Sequence, residues 1–143
     1  MSPTRTIIVF GSGPGIGNHI SSIFASKGFN HVILLARNTQ RLQNDDAPFV
    51  ANAGPNVKVD TVALDLSDLS AIPAALKQID ELTQGEELEV VLFNAARIKP
   101  SGVLDVSVEE IEEDFKVLSL RPSMPSQVYL TNSPFRRQTS PST

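Results

Sequence analysis

Several chemistries are excluded by residues that the chain does not contain. It has no cysteine, which rules out disulfides, thiolate nucleophiles and zinc sites built on cysteine. It has only two histidines, His19 and His31, twelve positions apart and with no other group of metal ligands close to them. We therefore expect both histidines to lie at the surface or at a helix end, and we expect no metal site.

The charge pattern lacks the features that a polyanionic partner requires. The net charge is −4, and the first hundred residues contain no cluster of lysine and arginine, so neither nucleic acid nor an acidic membrane is an expected partner. The polar N-terminus leads at once into an apolar run, residues 6–10, which is too short for a signal peptide or a membrane span. The expected location is the cytoplasm.

The chain is long enough and apolar enough for one domain with a real core, at 143 residues and 41% hydrophobic composition. Apolar runs predict strands at residues 6–10, 31–36, 57–64 and 89–93. The second run is apolar at consecutive positions, as in a parallel strand covered on both faces. Residues 45–56 are predicted to be loop-rich, and Gly28 and Gly85 to end helices.

Apolar residues at helical spacing predict three amphipathic helices between and after these strands. The third also begins with Ser107 and Glu110, which form a capping box. The apolar faces predicted for the three helices consist of Ile16, Ile20, Ile23 and Phe24; of Leu69, Ile72, Leu76, Ile79 and Leu82; and of Val108, Ile111, Phe115 and Leu118.

Three glycines follow the first predicted strand at a defined spacing, Gly11-x-x-x-Gly15-x-Gly17, and precede the first helix. The first turn of a helix has unpaired N–H groups and a partial positive charge, so a helix start that no side chain crowds can bind a phosphate. The commoner Gly-x-Gly-x-x-Gly pattern fails here because Ile16 and Asn18 stand where its last glycine would be. A glycine-rich turn without a ligand is the alternative.

The same stretch resembles the short-chain dehydrogenase/reductase family of NAD(P)-dependent enzymes. In that family the first glycine makes the turn, the second lets the backbone approach the pyrophosphate, and the third lets helix and strand pack closely. The resemblance implies an α/β fold: an incomplete Rossmann-type doubly wound parallel sheet in the order 3-2-1-4, with helices on both faces and a disordered C-terminal tail. The cofactor-binding residues implied in this turn are Gly11, Ser12, Gly13, Gly15, Ile16 and Gly17.

Arg37 follows the second predicted strand, at the point that faces the adenosine ribose in dinucleotide-binding folds. A carboxylate at this point pairs with the 2′-hydroxyl of NAD, whereas a cation accommodates the 2′-phosphate of NADP. Family members that read Leu-Ala-Arg-Asn here tend to use NADP(H), which adds Asn38 to the candidates. NADP is therefore favoured over NAD as the cofactor, and a solvated arginine is the alternative.

Asp65 and Leu66 follow the third predicted strand. They resemble the part of the family in which an aspartate and an apolar residue border the adenine, so Asp65 is a candidate to bond the adenine amino group. Capping of the next helix by Asp65 or Ser67 is the alternative, and both roles can coexist.

Asn94 and Ala95 follow the fourth strand and match the second and third positions of the family's Asn-Asn-Ala-Gly signature. The resemblance implies that Asn94 contacts the cofactor ribose and stabilises the sheet edge. Phe93 and Ala96 depart from the signature at its first and last positions.

The composition changes at Ser119. Residues 1–118 form the predicted NAD(P)-binding domain, and the Ser/Pro-rich residues 119–143 form a predicted disordered tail outside the family pattern. The family's proton donor belongs to a Tyr-x-x-x-Lys pair. Here the single tyrosine, Tyr129, is followed four positions later by Ser133, and Leu118 replaces the family's catalytic asparagine. No catalytic residue is predicted.

The resemblance implies an NADP-dependent carbonyl or alcohol oxidoreductase, truncated to its cofactor-binding half and inactive as this chain. A small-molecule substrate would bind only to a full-length form. One alternative is a non-catalytic nucleotide-binding or regulatory half-domain that associates with a full-length relative. Another is an unstable truncated gene product, because the fourth strand would lie at an open sheet edge.

Overall fold

The computed structural model describes residues 3–84, 86–95 and 106–120, and in the last of these ranges it describes side chains as far as Lys116. Gly85, Ala96, Tyr129 and Ser133 lie outside the described residues, as does the predicted tail from residue 121 onwards. The side chain of Leu118 also lies outside them.

Strands and helices alternate along the described part of the chain. The strands are β1 (Arg5–Phe10), β2 (His31–Ala36), β3 (Lys58–Ala63) and β4 (Glu87–Phe93). The α-helices are α1 (Ile16–Ser26), α2 (Thr39–Arg41), α3 (Ala47–Ala51), α4 (Ile72–Leu82) and α5 (Val108–Leu120). A π-helical turn (Leu42–Asp46) joins α2 to α3, and a 3-10 turn (Leu69–Ala71) leads into α4.

The four strands form a parallel sheet in the order β3-β2-β1-β4, which confirms the predicted order. The register shifts between β1 and β4, because Thr6 pairs with Leu88 whereas Ile7 pairs with Val90. Glu89 is therefore skipped in the ladder and forms a β-bulge. Its carboxylate is bonded to the guanidinium of Arg5 at 2.7 Å.

Apolar side chains cover both faces of the sheet. On one face, Ile8 and Ile33 belong to a core that includes Ile79 of α4. On the other face, Ile7 belongs to a second core that includes Ala25 of α1. Consecutive residues of β1 and β2 are buried for this reason, and the predicted Rossmann-type α/β architecture is confirmed.

The apolar face predicted for α1 is wrong at Ile16 and Ile23, whereas Phe24 packs against the second core as predicted and Ile20 is half-buried. Ile16 and Ile23 are 66% and 58% exposed, and the buried residues of the helix are instead Gly17, Asn18, Ser21 and Ala25. The helix packs so closely that a Cβ atom on Gly17 would lie 2.8 Å from the carbonyl oxygen of Gly11. Small side chains therefore face the sheet, and the larger isoleucines point away from it.

The other two predicted helices exist. In α4, Ile72 and Ile79 are buried as predicted, whereas Leu69 is exposed in the 3-10 turn that precedes the helix. In α5, the side-chain oxygen of Ser107 accepts a hydrogen bond from the backbone N–H of Glu110 at 3.2 Å, as the capping box predicts. The described members of the predicted apolar face of α5, Val108, Ile111 and Phe115, are exposed.

The loop predicted at residues 45–56 is wrong over its first part, because the π-helical turn and α3 extend through Ala51. Pro48 is compatible with α3 because it stands in the first turn, where its missing N–H has no partner to lose. Leu42 and Val50 are fully buried against the sheet, and this burial holds the segment in helical form despite its polar composition.

His31 does not lie at the surface or at a helix end, as predicted, but is the buried first residue of β2 with 1% of its side chain exposed. Its Nε2 is 2.8 Å from Oδ2 of Asp60, and its Nδ1 contacts the carboxylate of Glu86. Each ring nitrogen thus contacts a carboxylate, so the buried ring has polar partners on both sides. Burial opposes ionisation of Asp60, but hydrogen bonds from Lys58 and His31 outweigh it and lower the pKa of Asp60.

Candidate cofactor-binding site

A cleft of about 930 Å³ lies at the carboxyl ends of the strands, where ligands bind in open α/β sheets. Every residue that the sequence predicted to bind a cofactor lines it. These residues are Gly11, Ser12, Gly13, Gly15, Ile16, Gly17, Arg37, Asn38, Asp65, Leu66, Asn94 and Ala95. Arg41 lines it as well and was not predicted.

Gly11 forms the turn out of β1. Its φ is +89°, and a Cβ atom on it would lie 2.4 Å from the backbone nitrogen of Ala95. The N–H groups of Gly11 and Ser12 both donate to the carbonyl oxygen of Leu35, each at 2.9 Å. The turn is thus fixed by β2 on one side and approached by the end of β4 on the other, and only glycine fits at its first position.

Gly15 and Gly17 differ in what surrounds them. Gly17 packs against the backbone of the turn, whereas a Cβ atom on Gly15 would meet no atom within 4 Å. Gly15 is also the N-cap of α1, which has no side-chain cap and no acidic residue in its first turn. Protein packing therefore does not require glycine at position 15, and the helix N-terminus is left uncrowded and favourable to an anion. A phosphate group fits this arrangement.

Asn94 ties the end of β4 to the glycine turn. Its side-chain amide donates to the carbonyl oxygen of Gly11 at 3.2 Å, and its backbone N–H donates to the carbonyl of Phe10 at 2.8 Å. The rings of Phe10 and Phe93 stack beside it, with centroids 5.8 Å apart. Phe93, which departs from the family signature, is thus part of the packing of β4 on β1.

Asp65 bends the chain after β3. One of its carboxylate oxygens accepts from the backbone N–H of Ser67 at 2.9 Å and from its hydroxyl at 2.7 Å. The residue that caps the following 3-10 turn is Asp68, whose side chain accepts from the N–H of Ser70. Helix capping by Asp65 or Ser67 is therefore wrong, although both residues line the cleft.

Two arginines line the same cleft but differ in their bonding. Nη2 of Arg41 donates to the carbonyl oxygen of Ser12 at 2.9 Å, and Nε donates to the carboxylate of Asp46 at 3.3 Å. Within the described ranges, Arg37 makes no hydrogen bond or ion pair. Arg37 is therefore the guanidinium that a ligand in the cleft can engage without displacing a protein contact.

Sequence reasoning missed Arg41, Asn18 and Asp46. Arg41 is the last residue of the short helix α2 and lies four positions after Arg37. A second arginine so close to Arg37 in the sequence is the signal that could indicate a second cation in the cleft. The hydrogen bond between Asn18 and Asp46 joins residues 28 positions apart, and no local sequence pattern indicates it.

Neither a metal-binding cluster nor a membrane-spanning helix is found among the described residues. They contain no group of three or more His, Cys, Asp and Glu residues that could hold a metal ion, and His19 is exposed on α1, as predicted. No helix in the described ranges is long and apolar enough to cross a membrane.

Comparison with known proteins gives a match to the family described as "short chain dehydrogenase" over residues 5–124. The match extends beyond residue 118, the predicted end of the domain. A curated protein named short-chain dehydrogenase TIC 32 B, chloroplastic, from Brassica napus, is 31% identical over 90 residues, which are 63% of this chain and 27% of that protein.

Solved structures of reductases share the fold. The NADPH-bound carbonyl reductase from chicken fatty liver aligns with a TM-score of 0.69 at 22% identity, covering 90% of this chain and 48% of that one. The NADH-dependent reductase A1-R′ complexed with NAD aligns with a TM-score of 0.70 at 16% identity, covering 88% and 50%. The chain thus spans about half the length of these structures.

Proposed function

Because the chain belongs to the short-chain dehydrogenase family of oxidoreductases, we propose that its cleft binds NADP(H), with the pyrophosphate at the N-terminus of α1. The observation that carries the proposal is the difference between the glycines at positions 11, 15 and 17, the three that the spacing pattern contains. The protein's own packing accounts for glycine at positions 11 and 17, whereas position 15 opens onto the cleft without a protein neighbour. A ligand whose phosphates contact backbone amides accounts for glycine there.

The preference for NADP over NAD is proposed from Arg37. Arg37 lines the cleft just after β2, in the region of a dinucleotide fold that faces the adenosine ribose. Since no protein group in the described part engages it, its charge is available to a 2′-phosphate. One of the two aligned reductases is bound to NADPH and the other to NAD. The proposed preference for NADP therefore rests on the residues of this chain.

The remaining candidates fall into two groups in the proposal. Asp65 and Leu66 border the adenine, and Asn38 lies beside the ribose with Arg37. Asn94 and Ala95 contact the second ribose, while the side-chain amide of Asn94 remains bonded to Gly11. When bound, NADPH supplies the hydride for reduction of a carbonyl group. The residues of this chain bind and orient it.

We also propose that the 143-residue chain binds the cofactor without transferring hydride. Carbonyl reduction needs a proton donor, and the single tyrosine is not followed by lysine four positions later. A carbonyl or secondary alcohol would be the substrate of a full-length form. Titration of the purified chain with NADPH, followed by nicotinamide fluorescence, should show saturable binding, and incubation with carbonyl compounds should leave NADPH absorbance unchanged. No binding at millimolar cofactor would overturn the first statement, and steady NADPH oxidation the second.

A regulatory role through association with a full-length relative is the second candidate. It is favoured by the position of β4, which in the described residues pairs only with β1 and is partly exposed. Co-expression with a full-length relative should yield a mixed complex in analytical ultracentrifugation. Separate sedimentation would exclude this role, and aggregation of the chain alone would indicate an unstable product.

A cytoplasmic location is the remaining part of the proposal. Microscopy of the fluorescently tagged chain should show diffuse cytoplasmic signal. Accumulation in a plastid, the compartment named for the Brassica protein, would contradict it.

A further inference from the structure

Four residues form a closed ring of hydrogen bonds at the glycine turn: Ser12 and Arg41, which line the cleft, and the buried Asn18 and Asp46. The hydroxyl of Ser12 donates to Oδ1 of Asn18 at 2.9 Å, and Nδ2 of Asn18 donates to Oδ1 of Asp46 at 2.6 Å. Arg41 closes the ring with its bonds to Oδ2 of Asp46 and to the carbonyl oxygen of Ser12. Ser12, the second residue of the turn, is thus held both through its hydroxyl and through its backbone carbonyl oxygen.

Asp46 is the charged centre of this ring. Only 1% of its side chain is exposed, and a buried carboxylate is costly unless hydrogen-bond donors surround it. It stands at the N-cap position of α3, yet its side chain accepts no hydrogen bond from that helix. Its carboxylate is directed instead to Asn18 and Arg41, so helix capping does not explain why an aspartate is buried here.

Resting on the proposed function, we infer that Asp46 is a positioning residue for the cofactor: it fixes the glycine turn in the conformation that receives the pyrophosphate. One of its oxygens sets the orientation of the Asn18 amide, whose own oxygen then accepts from Ser12. The other oxygen holds Arg41 against the carbonyl of Ser12. Both bonds restrain the segment between Gly11 and Gly15.

This role differs from that of Arg37 in a measurable way. The pyrophosphate is common to NADPH and NADH, so loss of Asp46 weakens both by the same factor. Arg37 faces the part in which the two cofactors differ. A residue that merely stabilised the fold would change the unfolding temperature without changing the affinity of the folded chain.

The experiment compares four chains: the parent, Asp46→Asn, the reciprocal exchange Asn18→Asp/Asp46→Asn, and Asp45→Asn. In Asp46→Asn the charged acceptor is lost. Asn18 can keep a bond to position 46 while Arg41 keeps its own only if the Asn18 amide turns, so that Nδ2 instead of Oδ1 faces the Ser12 hydroxyl. In the exchange, the aspartate at position 18 accepts from Ser12 and from the asparagine at position 46, whose oxygen accepts from Arg41. All the bonds of the ring keep a donor and an acceptor. Asp45 is exposed, so its substitution removes the same charge without touching the ring.

NADPH and NADH are titrated into each chain at a temperature well below the midpoint of its thermal unfolding. We expect Asp46→Asn to weaken both cofactors about tenfold, since it removes the charged acceptor of two hydrogen bonds and changes the orientation of the Asn18 amide. The exchange should recover most of the lost affinity, and Asp45→Asn should match the parent. If Asp46→Asn does not fold, Asn18→Ala takes its place, because it breaks the ring at a residue that does not line the cleft; it should weaken both cofactors equally, and parental affinity in it would overturn the inference.

Three results would overturn the inference: parental affinity in Asp46→Asn, a loss confined to NADPH, or a folded exchange chain that binds no better than Asp46→Asn. Failure of the proposed function is distinguishable from these. In that case the parent and Asp45→Asn also bind neither cofactor, and the inference falls with it.

Discussion

The side-chain amide of Asn94, at the end of β4, donates to the carbonyl oxygen of Gly11, in the turn after β1, across 83 positions of sequence. Since the backbone N–H of Asn94 also bonds to Phe10, a single residue fastens the last described strand to the floor of the cleft. The amide nitrogen of Asn94 also lies 3.3 Å from the place where a Cβ atom on Gly17 would stand.

We expect Asn94→Ala to lower the free energy of unfolding by about 1 kcal/mol, the usual contribution of one hydrogen bond. Asn94→Asp should lower it further, because a carboxylate oxygen would then face the carbonyl oxygen of Gly11. Urea denaturation of the three chains measures both effects. If Asn94→Asp proves as stable as the parent, the bond to Gly11 is not the reason for asparagine at this position.

The glycines at positions 15 and 17 should respond in opposite ways to alanine. Gly17→Ala places a methyl group 2.8 Å from the carbonyl oxygen of Gly11, and such overpacking should cost about 1–3 kcal/mol of stability. Gly15→Ala meets no protein atom within 4 Å, so it should cost at most about 1 kcal/mol and should chiefly weaken NADPH binding. Thermal unfolding and NADPH titration separate the two effects, and unchanged affinity in Gly15→Ala would contradict the proposed pyrophosphate site.

Arg37→Gln should weaken NADPH about tenfold while leaving NADH unchanged, because a charge-assisted contact to the 2′-phosphate is lost. The parental preference for NADPH should also fall as salt is added, since an accessible ion pair is screened. Lys77→Gln is the matched control, because Lys77 is 79% exposed on α4 and does not line the cleft. An equal loss for both cofactors would show that Arg37 does not read the 2′-phosphate.

Asp60 should make stability depend on pH in the acid range. Its pKa in the folded protein is lowered, since hydrogen bonds from Lys58 and His31 outweigh the opposing effect of burial. A lowered folded pKa contributes stability that is present above the unfolded pKa and is lost as pH falls through the folded one. Asp60→Asn should therefore cost about 1 kcal/mol near neutrality, and less as pH falls below about 4.

Urea denaturation at several pH values measures this difference, with Asp80→Asn, an exposed carboxyl on α4, as the control. A cost for Asp60→Asn that stays constant down to pH values near 2 would contradict the lowered pKa.

Local pattern was sufficient for the strands and for the glycine turn. The apolar run of β2 predicts its observed bounds, His31–Ala36, because a strand buried on both faces is apolar at consecutive positions. The spacing from Gly11 to Gly17 likewise indicated the turn and the helix start, because both depend on neighbouring residues.

Local sequence pattern does not predict how closely two elements approach or which side chains meet between them. The periodicity of α1 indicated Ile16 and Ile23 as its buried face, because periodicity reports apolar stripes and not how closely a helix approaches a sheet. The sequence places His31 at the surface or at a helix end because its partners, Asp60 and Glu86, come from elements that only the fold brings together. The role of Asp46 is not predicted for the same reason, because its partner Asn18 lies 28 positions away in the sequence.

The bulge at Glu89 has a consequence for how β4 tolerates change in length. Because the ladder skips Glu89, Leu88 and Val91 belong to the core beneath α4, while Val90 and Leu92 belong to the core beneath α1. Removal of Leu88 would restore an unbroken ladder but would place the acidic side chain of Glu89 opposite Thr6, at the position from which Leu88 packs against the core beneath α4. Removal of Glu89 would restore the ladder and leave the other side chains on their present faces, with loss of the ion pair to Arg5. The strand can therefore lose the skipped residue without exchanging its two faces, whereas loss of its neighbour Leu88 would bury a charge.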